Sequence, residues 1–469
     1  MKKLVTALAL FVALSAWAQP SALTIDDYMK EASVKNKTLG SYEISNEAAR
    51  ERKDVGDLGL SPLFTASYSE TKDQSLPSQL GTERDMNILL VALQKKFSTG
   101  TTVGLTGQTY KILYFNTQIP IPSDYSSGQL GISLQQSLWR DSFGHATRLR
   151  QSRDQVISQI ESYSNDLKRR ASIIATESDY WDYLVAQESL KLKKANLERT
   201  QKLNNWTSSR VSNGISERVD LLQIQALLSL RELELATAQD DLEAQAIRVR
   251  QNLGLSQDES IPEFTTQLLE SRPYIDSLKK QGKVVRIENY LNTLDARLKK
   301  TVSEEVVDGQ RPDLSVVGKY STSSFDPDYD KMTSNLTRTD YPVTYVGVNF
   351  SWYFGSDALS AQASATRKDA VASQYRAQQS EIESENAWKD FLRKYELNKQ
   401  NVARLEKISQ LQSERTKQEQ SMFSRGRSVT LNVVNAETDA AEAQVNYLKA
   451  KSGLRKLEVS ALLFTTVTE

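Results

Sequence analysis

After Gly426 the apolar positions of this chain fall in two stripes. One is Leu431, Val434, Thr438, Ala441, Val445 and Leu448. The other is Val433, Ala436, Ala440, Ala443, Tyr447, Ala450, Leu454 and Leu457. Both advance by three and four, the period of a helix packed in coiled-coil fashion. The stretch after Gly214 repeats the pattern. Leu221, Ile224, Leu228, Leu235, Ala238 and Leu242 lie on one side, and Val219, Leu222, Ala226, Leu233 and Ala236 on the other. Two stripes predict two neighbours per helix, as in a bundle layer or a closed cylinder. The two helices run to about Asn252 and Leu463. Each is preceded by a stretch with neither Gly nor Pro, from Gly144 to Gly214 and from Gly355 to Gly426. A helix of roughly 70 residues spans about 105 Å at 1.5 Å per residue. Each half therefore predicts one very long helix, a glycine turn and a returning helix. Gly214 and Gly426 are expected to take the left-handed conformation that ends helices. Ser216 and Ser428 are candidate N-caps of the helices that follow.

Before each long helix the period changes to two. In "YPVTYVGVNFSWYF", from Tyr341, the positions Thr344, Val346, Val348, Phe350, Trp352 and Phe354 share one side. Tyr345, Gly347, Asn349 and Ser351 share the other. In "QLGISLQQSLW", Leu130, Ile132, Leu134 and Leu138 alternate with Gly131, Ser133, Gln135 and Ser137. "LFTASYSE" and "LSVVGKYS" start just after Pro62 and Pro312 and alternate more weakly. Apolar-out, polar-in strands of about ten residues with aromatics near one end fit an outer-membrane barrel. A β-sandwich strand alternates in the same way. Trp139, Trp352, Tyr353 and Phe354 sit where strand meets helix, as interface aromatics or as packed junction residues. The chain thus divides into a first repeat over 19–256, with strands about 63–138, and a second over 257–469, with strands about 314–354. The first strand region is about twice as long as the second. Its extra length contains "LQKKFSTGTTVGLTGQTYKILYF", a plausible hairpin around Ser98, Thr99 and Gly100. The polar segment "STSSFDPDYDKMTSNLTRTD" reads as an extracellular loop.

Composition narrows the class. The chain of 469 residues has no Cys and one His, with Lys+Arg equal to Asp+Glu at 59 each. Residues 1–18 have a basic start, an apolar run and Ala16-Trp17-Ala18, the features of a secretory leader cleaved near Ala18. Later apolar runs are too short for a transmembrane helix. Neutral balance gives no argument for nucleic acid, and no nucleic-acid partner is expected. Hydrophobic residues make up 39%, low for one compact core of this length.

With these features on the page, the chain resembles the TolC family of outer-membrane efflux proteins. The residues that carry the resemblance are the duplicated phrases "RVSNGISERVDLLQIQALLSLRELELATAQ" and "FSRGRSVTLNVVNAETDAAEAQVNYLKA", with the strand entries at Pro62 and "RPDL". It covers essentially the whole mature chain. The implied fold is mainly α with a β-barrel section: a trimeric transmembrane β-barrel continuing into a periplasmic α-helical barrel, two structural repeats per chain. Members usually contribute four strands each; the longer first repeat leaves four or six open here. The implied function is the exit duct of a tripartite efflux or type I secretion system, a channel gated at its periplasmic end. The implied partners are a homotrimer, a periplasmic adaptor protein, an inner-membrane pump and outer-membrane lipid.

The resemblance also implies site residues. In the family the aperture closes near the glycine turns, often with acidic rings six and nine residues beyond the second glycine. Those positions are Asn432 and Asn435 here, a polar ring without charge that would weaken cation binding. Their first-repeat equivalents are Asp220 and Gln223. The family's aromatic before the second glycine is Phe423, which has no hydroxyl. Asp220 paired with Arg425 or Arg427 would make a closing latch; the alternative is an acid favoured by the dipole of its helix. Adaptor contact is implied for Arg210, Gly214, Ser216, Arg425, Gly426 and Ser428.

Catalysis finds no support in the residue inventory. Without Cys, and with His145 as the only His, the usual metal sites and Ser–His or Cys–His triads are unavailable. The chain has no phosphate-binding Gly-Lys-Ser/Thr loop, and the reading needs no cofactor or metal. The competing reading is a periplasmic coiled-coil scaffold or adaptor. Such proteins have helix hairpins, but they lack paired amphipathic strands and usually carry the hairpin once.

Overall fold

A computed structural model describes residues 23–73, 83–115, 124–264, 274–280, 283–338 and 341–466. The leader expected over 1–18 lies outside them. The first repeat runs α1 (Ile25–Lys35), α2 (Lys37–Glu51), β1 (Leu63–Asp73), β2 (Glu83–Lys96), β3 (Thr101–Phe115), β4 (Asp124–Ser137), α3 (His145–Ser212) and α4 (Arg218–Leu253). The second runs α5 (Tyr274–Lys280), β5 (Val284–Arg286), α6 (Ile287–Gly309), β6 (Asp313–Asp326), α7 (Tyr329–Asn335), β7 (Pro342–Ser351), α8 (Asp357–Ser424), α9 (Thr430–Ser460) and β8 (Phe464–Thr466). The long helices α3 and α8 have 68 residues each, as the two breaker-free stretches predict.

Two compact units cut across these repeats, and each draws on both halves. The first comprises residues 1–44, 166–287 and 384–469. It holds two cores. One joins Ile25, Tyr28, Tyr180, Trp181, Leu184, Val249, Leu253 and Phe264, with Tyr180 and Phe264 stacked at 4.7 Å. The other joins Ile275, Leu278, Val284, Phe391, Tyr395, Leu454, Ala461 and Phe464. Within this unit β5 and β8 form a two-stranded sheet, outside the strands expected about 314–354.

The second unit comprises residues 45–165 and 288–383. It contains one six-stranded antiparallel sheet in the order β1-β2-β3-β4-β6-β7. The open question of four or six strands is settled at six among the described residues. The hairpin around Ser98–Gly100 is present, with Gly100 at φ 72°. The polar segment 321–340 is only partly loop. β6 extends to Asp326, Asp328 accepts the amides of Asp330 and Lys331 to start α7, and Met332 is fully buried.

Candidate functional site

Two features could carry function: the twin helix turns of the first unit and the sheet of the second. The turns share one geometry. The amide of Ile215 donates to the carbonyl of Arg210 at 2.8 Å, and that of Arg427 to Met422 at 2.8 Å. These are the six-to-one bonds of a Schellman motif. Gly214 and Gly426 sit at its left-handed position, at φ 76° and 73°, as expected. Around each glycine there is open space, so backbone conformation alone requires them.

The N-cap assignments differ from expectation. Glu217 caps α4 and Val429 occupies the cap of α9. The Schellman bonds end at Ile215 and Arg427, so Ser216 and Ser428 lie between each turn and the N-cap of the next helix. Their hydroxyls serve the turn instead. Arg210 Nε donates to Ser216 Oγ at 3.1 Å, and Ser428 Oγ donates to Glu419 Oε2 at 2.7 Å. The Arg210 guanidinium also lies 4.5 Å from the ring centre of Trp206, which packs against Phe423 at 4.6 Å. Sequence reasoning missed Trp206. Its i,i+4 spacing to Arg210 was the available signal.

Asp220 is half-buried, and its Oδ2 accepts the Glu217 amide at 3.3 Å. Neither Arg425 nor Arg427 forms an ion pair with it within the chain; both arginines are exposed. Gln223, Asn432 and Asn435 are exposed, and Asn432 Nδ2 lies 3.5 Å from Ser428 Oγ.

Farther along these helices the stripes separate. On α9 both are largely covered within the chain; Val433, Ala436, Ala440, Ala441, Ala443 and Leu454 are buried. On α4 only one is covered, with Ile224 and Ala238 buried. Val219, Leu222, Ala226, Leu233 and Ala236 on the other are all exposed. An exposed apolar row also runs along α8 through Leu397, Ile408, Leu411 and Met422. Between the covered faces lies a polar knot. Arg231, with its side chain 3% exposed, donates to both oxygens of Glu234 and to Thr438 Oγ1 at 2.9 Å. Lys193 adds a bond to Glu234 at 3.0 Å. Burial pushes the Glu234 carboxyl up, but the bonds and charges of Arg231 and Lys193 outweigh it and hold it below the usual range.

In the sheet, register assigns every residue to a face. One cross-strand row is Phe64, Leu93, Leu105, Ile132 and Tyr320. All five are exposed, with Leu89, Leu130, Leu134, Val346, Val348 and Phe350 on the same face. The opposite face carries Gln94, Gly104, Ser133 and Lys319 in one row and Thr106, Gly131 and Ser321 in the next. Along β6 the apolar face runs from Leu314 to Thr322, about 26 Å at ~3.3 Å per residue, or about 20 Å of height at the usual 35–45° strand tilt, most of the ~25 Å apolar band of a membrane barrel. Beyond Thr322 it turns polar, and α7 covers it: Thr322 Oγ1 donates to the Leu336 carbonyl, and Met332 lies over Gly128.

At the opposite end of the strands, Trp139, Trp352, Tyr353 and Phe354 are all exposed, Phe354 at 85%. Trp352 and Phe354 meet edge to face at 5.2 Å. Phe97 and Phe143, not foreseen, are exposed as well. Phe143 holds a left-handed backbone at φ 45°, and Asp141 one at φ 54°. Asp141 is fixed by Lys96 Nζ at 2.9 Å and by the amide and hydroxyl of Thr147; its own amide donates to Asp308. The positive φ of Gly144 brings it against the chain at Ser98, where a Cβ would lie 1.8 Å from the carbonyl oxygen. His145 is exposed.

No family model and no curated protein matches the chain. Solved structures do. The outer membrane protein VceC of Vibrio cholerae is similar with a TM-score of 0.67 at 13% identity, over 93% of this chain and 95% of that one. The CmeC outer membrane channel of Campylobacter jejuni gives 0.65 at 14%, over 98% and 94%. The MtrE outer membrane channel of Neisseria gonorrhoeae, in its open state, gives 0.63 at 14%, over 94% and 88%. The chain therefore has the fold of these outer-membrane channels over nearly its full length.

Proposed function

We propose that the protein is the outer-membrane exit duct of a tripartite efflux or type I secretion system, a passive conduit assembled from three copies. The observation that carries this reading is the sheet. Its exposed apolar face spans most of a membrane band, its other face is largely polar, and among the described residues both edge strands are open. Water favours neither the apolar face nor the open edges; a lipid bilayer and a second copy satisfy both. The uncovered stripe of α4 and the uncovered row of α8 support the same assembly, because each copy then has helix surfaces left for its neighbours.

In this reading Trp139, Trp352, Tyr353 and Phe354, joined by Phe97 and Phe143, form the aromatic girdle at the periplasmic interface. The glycine turns form the periplasmic mouth. Asp220, Gln223, Phe423, Arg425, Arg427, Asn432 and Asn435 line or brace its aperture. Arg210, Gly214, Ser216, Arg425, Gly426 and Ser428 receive an adaptor protein, which couples the duct to an inner-membrane pump. The pump supplies the energy, and the duct performs no chemistry.

The test is single-channel recording of the detergent-extracted protein in a planar bilayer. Small, stable conductance steps are expected from a barrel closed at its helical end. No insertion and no current, from protein shown to be folded and trimeric, would overturn the duct.

A further inference from the structure

We propose that β7 of one copy pairs with β1 of the next, Val348 opposite Ala66, and that three copies close a barrel of eighteen strands. This rests on the trimeric duct proposed above and adds its size and register. A four-strand contribution, expected from the resemblance, would give twelve.

The register follows from the internal repeat. Within the chain, β4 and β6 are the seam where the first half meets the second. The open edges β7 and β1 are the seam where the second half meets a first half again. Leu134 on β4 and Leu138 just after it, both exposed and apolar, correspond to Val346 and Phe350 of β7, at the spacing that separates Gly214 from Gly426. On β6, Leu314 and Val316 follow Pro312 as Phe64 and Ala66 follow Pro62. The observed pairs Gln136 with Val316 and Leu134 with Gly318 then become Val348 with Ala66 and Val346 with Tyr68. All four of these edge residues lie on the apolar face. A slip of one residue would set Val348 against Thr65, which lies on the polar face, and pleating forbids that.

The same register closes the ring without strain. A path perpendicular to the strands passes from Leu63 through Gln94, Gly104, Ser133 and Lys319 to Tyr345. Val348 opposite Ala66 places Tyr345 opposite Ser69 of the next copy. The path therefore climbs six residues over six strands. One residue of stagger per strand is the ratio that tilts the strands of an eight-stranded barrel by ~36°, inside the range of closed barrels. Eighteen strands at ~4.8 Å and that tilt enclose a backbone cylinder about 34 Å across, against about 23 Å for twelve.

The absence of native cysteine makes the seam directly testable. Val348→Cys is combined with Ala66→Cys, and separately with Leu105→Cys on the same face of β3. Oxidant is added to assembled, detergent-extracted trimers, so assembly precedes crosslinking. Denaturing gels without reductant are expected to show covalent dimers and trimers for the first pair only. End-on electron-microscopy averages of the unsubstituted trimer are expected to show a wall about 34 Å across. Crosslinking through Leu105→Cys, or a wall near 23 Å, would overturn the eighteen-strand barrel while leaving the trimeric duct standing. Absence of trimers from the extract would remove the duct reading first, and this inference with it.

Discussion

Asp220 separates two kinds of closure, and two substitutions distinguish them. Within the chain its carboxylate accepts the Glu217 amide at 3.3 Å, a long bond at the first turn of α4. Removing a side chain that satisfies a helix N-terminus costs about 0.5–2 kcal/mol, and the length of this bond argues for about 1. Asp220→Ala should then speed amide exchange in the first turn of α4 about fivefold, since ~1.4 kcal/mol is tenfold. Asp220→Asn retains an acceptor and loses only the attraction of a charge to the helix dipole, about 0.3–1 kcal/mol, so about twofold is expected. A latch to Arg425 or Arg427 across the assembled mouth behaves differently. It depends on charge, so both substitutions would raise closed-state conductance equally. The assays are hydrogen exchange read by mass spectrometry and single-channel recording on the same preparations. Unchanged exchange in Asp220→Ala refutes the capping argument. Unchanged closed-state conductance in Asp220→Ala refutes the latch.

Gly214→Ala and Gly426→Ala meet no neighbouring atom, so each should cost only the left-handed backbone term, about 1–2 kcal/mol. Helical circular dichroism on heating measures it, and loss of folded protein would show that the turns are packed as well as bent. The Glu234 knot predicts an acid limit. A carboxyl held low by Arg231 and Lys193 adds stability above its unfolded-state value, near pH 4, and that stability is lost as pH falls through the lower folded value. Exchange protection of α4 around Glu234 should therefore persist at pH 5 and weaken below about pH 4. Arg231→Met should move that loss to higher pH, and an unmoved profile would count against the knot.

The long helices and the strands were legible because each has a period sustained over many residues, with Gly214, Gly426, Pro62 and Pro312 as punctuation. The stripes were legible as two, but not which of them the chain covers itself. Leu222 and Val434 hold matching positions after the two glycines; only packing leaves the first exposed and half-buries the second. Three-residue strands such as β5 carry too little pattern to read. The helix α7 stayed hidden because its apolar anchors are only Met332 and the adjoining Leu336, whose partner Gly128 lies some 200 residues away. At the turns, the glycines were readable from type and spacing. The duties of Ser216 and Ser428 were not, because they depend on Arg210 and Glu419, which lie back along the preceding helices. Likewise the strained pair Asp141 and Phe143 is held by Lys96 and Asp308 from distant segments, and no local rule places a phenylalanine at positive φ.

The first repeat sends four strands into the sheet and the second sends two. Both numbers are even, so in each repeat the chain leaves the sheet at the end where it entered. Leu63, Ser137, Asp313 and Ser351 all lie at that end, and every long helix departs from it. In the duct proposed above, a lineage that gained or lost one strand would put a 68-residue helix on the wrong side of the membrane. One that gained a whole hairpin would leave every helix where it was. The pore of such a protein can therefore change width in evolution only by steps of two strands per subunit, and β2 with β3 has the form of one such step.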